Sequence, residues 1–253
     1  MRKPGSVRDT TTRLAGRLPA RVRDPLRTFV RRPSVWRRLP PPLWGNLRRT
    51  EPFSRRYGFD RGTPIDRRYL ACFFDAMADD IHGRVLEVKD PVFSARYGRG
   101  VGSIDIVDID AGNPLATIVA DLAGPGSLPP GSFDCAIVPQ TLHLVSDPGA
   151  ALANLWASLA DGGVMLVTVP TIAKVDHEFP TVDRWRFTPR GMALLLDRSC
   201  PGADVEVVAY GNVLSAVAFL FGLAADELRP HELDRSDPSF PMLTCARARR
   251  PSR

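Results

Sequence analysis

Three features are missing from this sequence of 253 residues. No apolar run approaches the roughly 18 residues a membrane-crossing helix needs, so no membrane span is expected. No CxxC pair or Cys/His cluster occurs. Cys72, Cys135, Cys200 and Cys245 stand far apart in segments that read as core or strand, which argues against a zinc site or a disulfide framework. The third gap is local. The first strong strand, Arg84 to Val88, runs into Lys89-Asp90-Pro91 with no glycine until Gly98. In a nucleotide-binding α/β unit that turn is expected to be glycine-rich, because the backbone passes close to the ligand and the next helix presents its N-terminus there. The basic N-terminus also lacks the apolar stretch of a secretory signal, which points to the cytoplasm, and no internal repeat is visible.

What is present is unevenly distributed. The net charge of +6 conceals a first stretch, Met1 to Arg68, with 19 Lys/Arg against 5 Asp/Glu, so the remainder is net acidic. Residues 1–54 read as a basic, Pro/Arg-rich and partly disordered segment containing Pro40-Pro41-Pro42 and a short helix near Pro25 to Arg32. Trp36 and Trp44 suggest that part of it docks. Such an arm either touches nucleic acid or an anionic surface or packs over an acidic domain. Residues 55–253 read as one α/β domain with enough apolar residues for a sizeable core.

The segment Phe133 to Pro170 organises that domain. It holds an apolar run (Cys135 to Val138), a polar corner (Pro139 to Asp147), a helix (Pro148 to Ala160) ending at Gly162-Gly163, and a second apolar run (Val164 to Val169). Both runs are continuous rather than alternating, as parallel strands covered on both faces require, and the crossover length predicts an open sheet. Before it, Pro64-Ile65-Asp66 opens a helix with Tyr69, Leu70, Phe73, Phe74, Met77 and Ile81 on one face. Arg61, Asp66, Arg67 and Arg68 either close a ligand site or form surface ion pairs. After it, Thr188 caps a helix with Pro189 first, followed by a strand from Ala203 to Tyr210, a helix from Val213 to Ala225 and a strand from Met242 to Ala246.

The second strand, Ser103 to Asp110, places Asp105, Asp108 and Asp110 at 18, 21 and 23 residues beyond Glu87. An acid about 20 residues past the first strand suits a ribose diol, because an ionised carboxylate accepts from two adjacent hydroxyls. A short strand from Ala116 to Ala120 ends at Asp121-Leu122, an acid beside an apolar residue that suits an adenine ring.

Phe133-Asp134, Asp147-Pro148, Gly162-Gly163, Pro170 and the Trp185-Arg186-Phe187-Thr188-Pro189 stretch together resemble a class I S-adenosylmethionine-dependent methyltransferase of the methyltransferase type 11 kind, over roughly residues 57 to 247. The resemblance implies a Rossmann-like α/β fold: a seven-stranded, mostly parallel sheet flanked by helices, with the last strand antiparallel. It implies S-adenosyl-L-methionine as cofactor; the lack of a Cys/His cluster gives no metal site to expect beside it. By that likeness Glu87 and the backbone near Lys89 lie by the methionine part, Asp105 or Asp108 takes the ribose, Asp121 and Leu122 take the adenine, and Gln140 and Thr141 form the floor of the transfer site. Two positions depart from the family pattern. The glycines of the first motif are Lys89, Asp90 and Pro91, and the acid-His pair of the corner is Leu142-His143-Leu144.

Methyl transfer from a sulfonium is an in-line displacement, catalysed mainly by alignment, with a base needed only if the acceptor must lose a proton. His143 and His177 are the candidate bases. The expected function is methylation of a small-molecule or saccharide acceptor on oxygen, an acceptor class suggested by the sugar-modifying setting of related chains. The alternative is a methyltransferase-like binding or assembly module that has lost its cofactor because Lys89-Asp90-Pro91 obstructs the turn. Nucleic acid is not expected as a partner.

Overall fold

A computed structural model describes residues 45–176 and 180–252. The chain divides into two units, Met1–Thr50 and Glu51–Arg253. In the first, the described residues form one 3-10 turn, Gly45–Arg48. The helix expected near Pro25 to Arg32, and Trp36 and Trp44, lie outside the described residues.

The second unit carries a seven-stranded sheet. Its strands are β1 (Gly83–Val88), β2 (Val101–Asp108), β3 (Ile118–Val119), β4 (Phe133–Pro139), β5 (Leu159–Pro170), β6 (Asp204–Tyr210) and β7 (Leu243–Arg249). They stand in the order β3-β2-β1-β4-β5-β7-β6. The pairs from β3 to β5 are parallel, and β7 runs antiparallel between β5 and β6. This is the class I methyltransferase fold that the resemblance implied, with its antiparallel last strand. The order reverses between β1 and β4, so the carboxyl ends of those two strands flank the switch point at which open α/β sheets bind ligands.

The continuous apolar strands explain the layering. Successive strand residues point to opposite faces, and both faces are covered. Leu86, Ala136, Val138, Met165, Val167 and Ala246 pack under helices α3 (Pro148–Ser158) and α4 (Pro189–Ser199), against Leu152, Leu155, Met192 and Leu196. Their neighbours Val85, Cys135, Ile137, Leu166 and Cys245 face Leu70, Phe73 and Phe74 of α1 (Ile65–Ala76) and Phe219 of α5 (Val213–Leu220). Each fully buried Leu or Phe contributes about 1.5–3 kcal/mol relative to exposure.

The helix starts agree with the sequence. Asp147 accepts from the Ala150 N–H at 3.0 Å and Thr188 from the Gly191 N–H at 3.1 Å, each with proline in the first turn. The ends do not. α1 stops at Ala76 and a 3-10 turn follows at Ala78–Asp80, while α5 stops at Leu220. α3 ends at Ser158, so Gly162-Gly163 is not its stop signal. Those glycines lie inside β5, where the pairing with β4 shifts register between Phe133 and Cys135. Gly162 has φ +78°, and a Cβ on Gly163 would stand 2.9 Å from the carbonyl oxygens of Ala160 and Phe133. Glycine is needed there for an irregularity in the strand rather than for a helix cap. β2 likewise begins at Val101 and ends at Asp108, which leaves Asp110 beyond the strand.

Two short helices escaped the sequence reading: α6 (Pro230–Asp234) and, nearer the site, α2 (Val92–Tyr97), six residues between β1 and β2. Its predecessor Pro91 offers no side-chain cap. Instead both carboxylate oxygens of Glu87, at the end of β1, accept its first N–H groups, from Phe93 and Ser94, each at 2.8 Å.

Candidate functional site

Along the carboxyl edge of the sheet, the chain leaves β1 and β4 through left-handed residues that are not glycine. Lys89 has φ +77° and Gln140 has φ +45°. In L-residues this region is uncommon and costs about 1–2 kcal/mol, so something must hold it. At Lys89 the holding groups are visible. Its N–H donates to the Val107 carbonyl at 3.0 Å, its carbonyl accepts from Asn113 Nδ2 at 2.7 Å, and the Asp90 N–H reaches back to the Val88 carbonyl at 3.1 Å. The glycine missing from the sequence has therefore not removed the glycine-like turn; a lysine occupies it. At Gln140 the N–H donates to both the carbonyl (2.9 Å) and the hydroxyl (3.1 Å) of buried Thr168 on β5.

The sequence-named acids separate clearly. Glu87 has no exposed surface, and both its oxygens cap α2, so it builds the turn from beneath; burial raises its pKa, opposed by the Ser94 and Phe93 hydrogen bonds. Asp108 ends β2 beside the Lys89 turn, its oxygens accepting from the Asp110 N–H (3.0 Å) and Asn113 Nδ2 (2.8 Å). Asp105 is not brought to this edge. It lies further back in the strand and accepts from Arg84 Nε at 2.8 Å and the Thr117 hydroxyl at 3.0 Å. Asp121 is exposed, with its carboxylate accepting from the Ala123 N–H at 2.9 Å, while the Leu122 side chain is buried in the core. Thr141 donates its hydroxyl to the Pro139 carbonyl at 2.8 Å.

Beyond β4 and β5 a second, more deeply set group forms. His143 is half-buried, its Nδ1 is buried without a hydrogen-bond partner, and its carbonyl accepts from the Arg184 (2.9 Å) and Trp185 (3.1 Å) N–H groups. Burial pushes its imidazole down to about 4, partly opposed by the charge of Asp183. Asp183, whose side chain is 1% exposed, is held by both Nη atoms of Arg186, with Nη2 to Oδ2 at 2.9 Å. That bonding keeps the carboxyl below its usual range. Arg186 Nη2 also donates to the Lys174 carbonyl at 2.7 Å, and the Asp176 N–H donates to Asp183 at 2.8 Å.

Tyr57 closes this group from far away in sequence. Among the described residues it is the third non-glycine residue with positive φ, +58°. Its hydroxyl donates to Asp176 at 3.2 Å, its ring stacks on Phe219 at 5.7 Å, and the Lys174 ammonium sits 3.7 Å from the ring centre. Burial, then the Asp176 charge, raises its pKa. His177, the other candidate base, lies outside the described residues.

Tyr57, Asp183 and Arg186 are the site residues the sequence did not single out. Only the Trp185-to-Pro189 stretch hinted at Arg186. The early arginine set forms surface pairs instead: Arg61 with Glu227, and Arg68 with Asp234 at 3.3 Å. A separate groove of 590 Å³, lined by Ala193, Cys200, Ala203, Val205 and Val207 among others, lies between α4 and the start of β6, at the other end of the strands. Among the described residues no group of three or more His, Cys, Asp or Glu side chains is placed to hold a metal ion, and no helix is long and apolar enough to cross a membrane.

No family model matches the chain, and none of the curated proteins does. Solved structures do. An S-adenosylmethionine-dependent methyltransferase from Mesorhizobium loti is 20% identical, with the match covering 74% of this chain and 100% of that one at a TM-score of 0.52. The cyclase SpnF is 18% identical over 76% of this chain and 84% of its own, with a TM-score of 0.49. A SAM-dependent methyltransferase from Archaeoglobus fulgidus is 14% identical over 73% and 90%, with a TM-score of 0.47. At 20% identity, the likeness to the Mesorhizobium loti structure establishes the fold alone.

Proposed function

We propose that this protein is an S-adenosylmethionine-dependent methyltransferase acting on an oxygen of a small-molecule or saccharide acceptor. The observation that carries the reading is the pair of left-handed, non-glycine turns at Lys89 and Gln140, on the two strands that flank the switch point. Backbone strain of this kind persists only where the surroundings fix it, and it concentrates at ligand sites.

The residues present fit the cofactor. The Lys89 backbone keeps the conformation a glycine would adopt, and the Asp108 carboxylate, with only two of its roughly four acceptor positions used, stands at the end of the neighbouring strand. Asp108 would accept from the ribose diol, the turn at residues 88–91 would lie by the methionine part, and Asp121 would meet the adenine edge. When bound, the cofactor supplies an electrophilic methyl group on its sulfonium. On the acceptor side, the half-buried imidazole of His143 is neutral at ordinary pH and would take up a hydroxyl proton as the oxygen attacks. The Asp183–Arg186 pair beside it would fix the floor against which the acceptor is aligned.

One observation favours a second reading, a cofactor-free binding module on the same fold. Lys89 carries a side chain where the resemblance has glycine, in a turn tight enough for Asp90 to bond back to Val88. Calorimetric titration with S-adenosylhomocysteine separates the two. The methyltransferase reading expects a saturable isotherm that weakens by at least about tenfold in Asp108→Ala. No heat and no thermal shift at millimolar ligand would leave the binding module as the better description.

A further inference from the structure

We infer that Asn113 is a positioning residue, a single amide that locks the Lys89 turn and the Asp108 carboxylate into one geometry. Its Nδ2 donates one hydrogen to the Lys89 carbonyl at 2.7 Å and the other to Asp108 Oδ2 at 2.8 Å. Its Oδ1 accepts from the Leu115 N–H at 3.0 Å, and its own N–H donates to the Asp110 carbonyl at 3.1 Å. The orientation of the amide follows from chemistry. Both neighbours of Nδ2 are acceptors and the neighbour of Oδ1 is a donor, so the flipped amide would face oxygen with oxygen at two points.

Each half of this clip needs an external hold. Lys89 sits at φ +77°, where a residue with a Cβ is strained, and its carbonyl must stay turned toward β2 for the turn to persist. Asp108 ends its strand in a half-exposed position, where its carboxylate would otherwise rotate between solvent-facing rotamers. The Asp110 N–H fixes Oδ1 and Asn113 fixes Oδ2, which leaves the outer lone pairs of both oxygens presented together. Asn113 lies five residues beyond Asp108 and 24 beyond Lys89, in a loop with no part in either strand. A chain that keeps glycine at position 89 would not need such a restraint. Asn113 offsets, by hydrogen bonding, the strain that Lys89 introduces.

This inference rests on the methyltransferase reading only for what the geometry is used to bind; the clip itself is tested without ligand. Four proteins suffice: the natural chain, Asn113→Ala, Lys89→Gly and the double variant. In urea denaturation, Asn113→Ala lowers the midpoint. In the Lys89→Gly background, where the turn is free of strain, that loss shrinks to half or less. In calorimetry, Asn113→Ala weakens S-adenosylhomocysteine by about tenfold, and Lys89→Gly restores part of the loss. Adenosine, which lacks the amino-acid arm, reports on the Asp108 half of the clip and not on the Lys89 half, and its weakening is not restored by Lys89→Gly. A purely structural role in the 109–117 loop would not produce that split. Additive urea effects, with equal losses in both backgrounds, would overturn the clip whatever the ligand does. If the natural chain binds neither ligand while the urea coupling remains, the clip stands and the methyltransferase reading fails.

Discussion

The Lys89–Asp108 corner and the His143 group open on the same edge of one sheet, yet they are built by opposite means. The first is local and half-exposed. Its parts, from Glu87 to Asn113, come from two neighbouring strands and the loops that follow them, and short-range hydrogen bonds between side chains and backbone hold them together. The second is assembled from afar: Tyr57 meets Asp176 across 119 residues, and the charge of Asp183 is almost wholly enclosed. The contrast teaches where each half is vulnerable. The local corner stores a modest strain that hydrogen bonds offset, so its substitutions should affect binding more than folding. The enclosed group contains a charge that needs its partner, so its substitutions should affect folding first.

The largest expected effect is at Arg186. Arg186→Ala leaves the Asp183 carboxylate buried and unpaired and removes the donor to the Lys174 carbonyl, at a cost of about 3 kcal/mol in unfolding free energy. A urea midpoint unchanged by that substitution would mean the enclosed group is no more demanding than the exposed corner.

The next effect is a pH dependence. Burial holds the folded His143 imidazole at about 4 against an ordinary 6.5. As pH falls below 6.5 the unfolded chain takes up a proton that the folded chain refuses, so this contribution is full above 6.5 and lost progressively toward 4. The loss amounts to roughly 3 kcal/mol, and His143→Gln should flatten the stability profile in that window. The same shift predicts that the acid limb of kcat/KM lies near 4 rather than near 6.5, if His143 accepts the acceptor proton. Asp183, held low by Arg186, adds its own loss only once pH falls below its ordinary value of 3.8.

The smaller effects fall at the local corner. Lys89→Gly relieves a left-handed φ and should stabilise the fold by up to about 1 kcal/mol, read as a thermal midpoint a few degrees higher. Asp108→Ala should move the urea midpoint by less than about 1 kcal/mol while weakening S-adenosylhomocysteine strongly. Equal damage to folding from Asp108→Ala and Arg186→Ala would erase the distinction between the two halves.

The same distinction explains what the sequence disclosed. Continuous apolar strands and the Asp-Pro and Thr-Pro helix starts are periodic or local signals, and they located β1, β2, β4, α3 and the start of α4 within about two residues, while β5 begins well before its apolar run. Gly162-Gly163 misled because a glycine pair marks left-handed backbone or close packing without saying which element needs it. α2 was hard to see because it is only six residues long and its shortest capping bonds come from Glu87 on a strand, with Asp90 adding a longer one to the Val92 N–H. The missing glycine at Lys89 suggested an obstructed turn, because the hydrogen bonds that preserve the turn come from Val107 and Asn113. Asp183 and Arg186 pair locally, three residues apart, but Tyr57 and His143 reach them only through the fold, and no spacing announces that meeting.

Hydrogen exchange with and without S-adenosylhomocysteine tests whether the adenosyl ligand binds across the ends of β1 and β2. Slower exchange at the amides of residues 88–93, 108–113 and 121–123, with the 193–207 groove unchanged, is the predicted result. Protection confined to that groove, or none at saturating ligand, would contradict it.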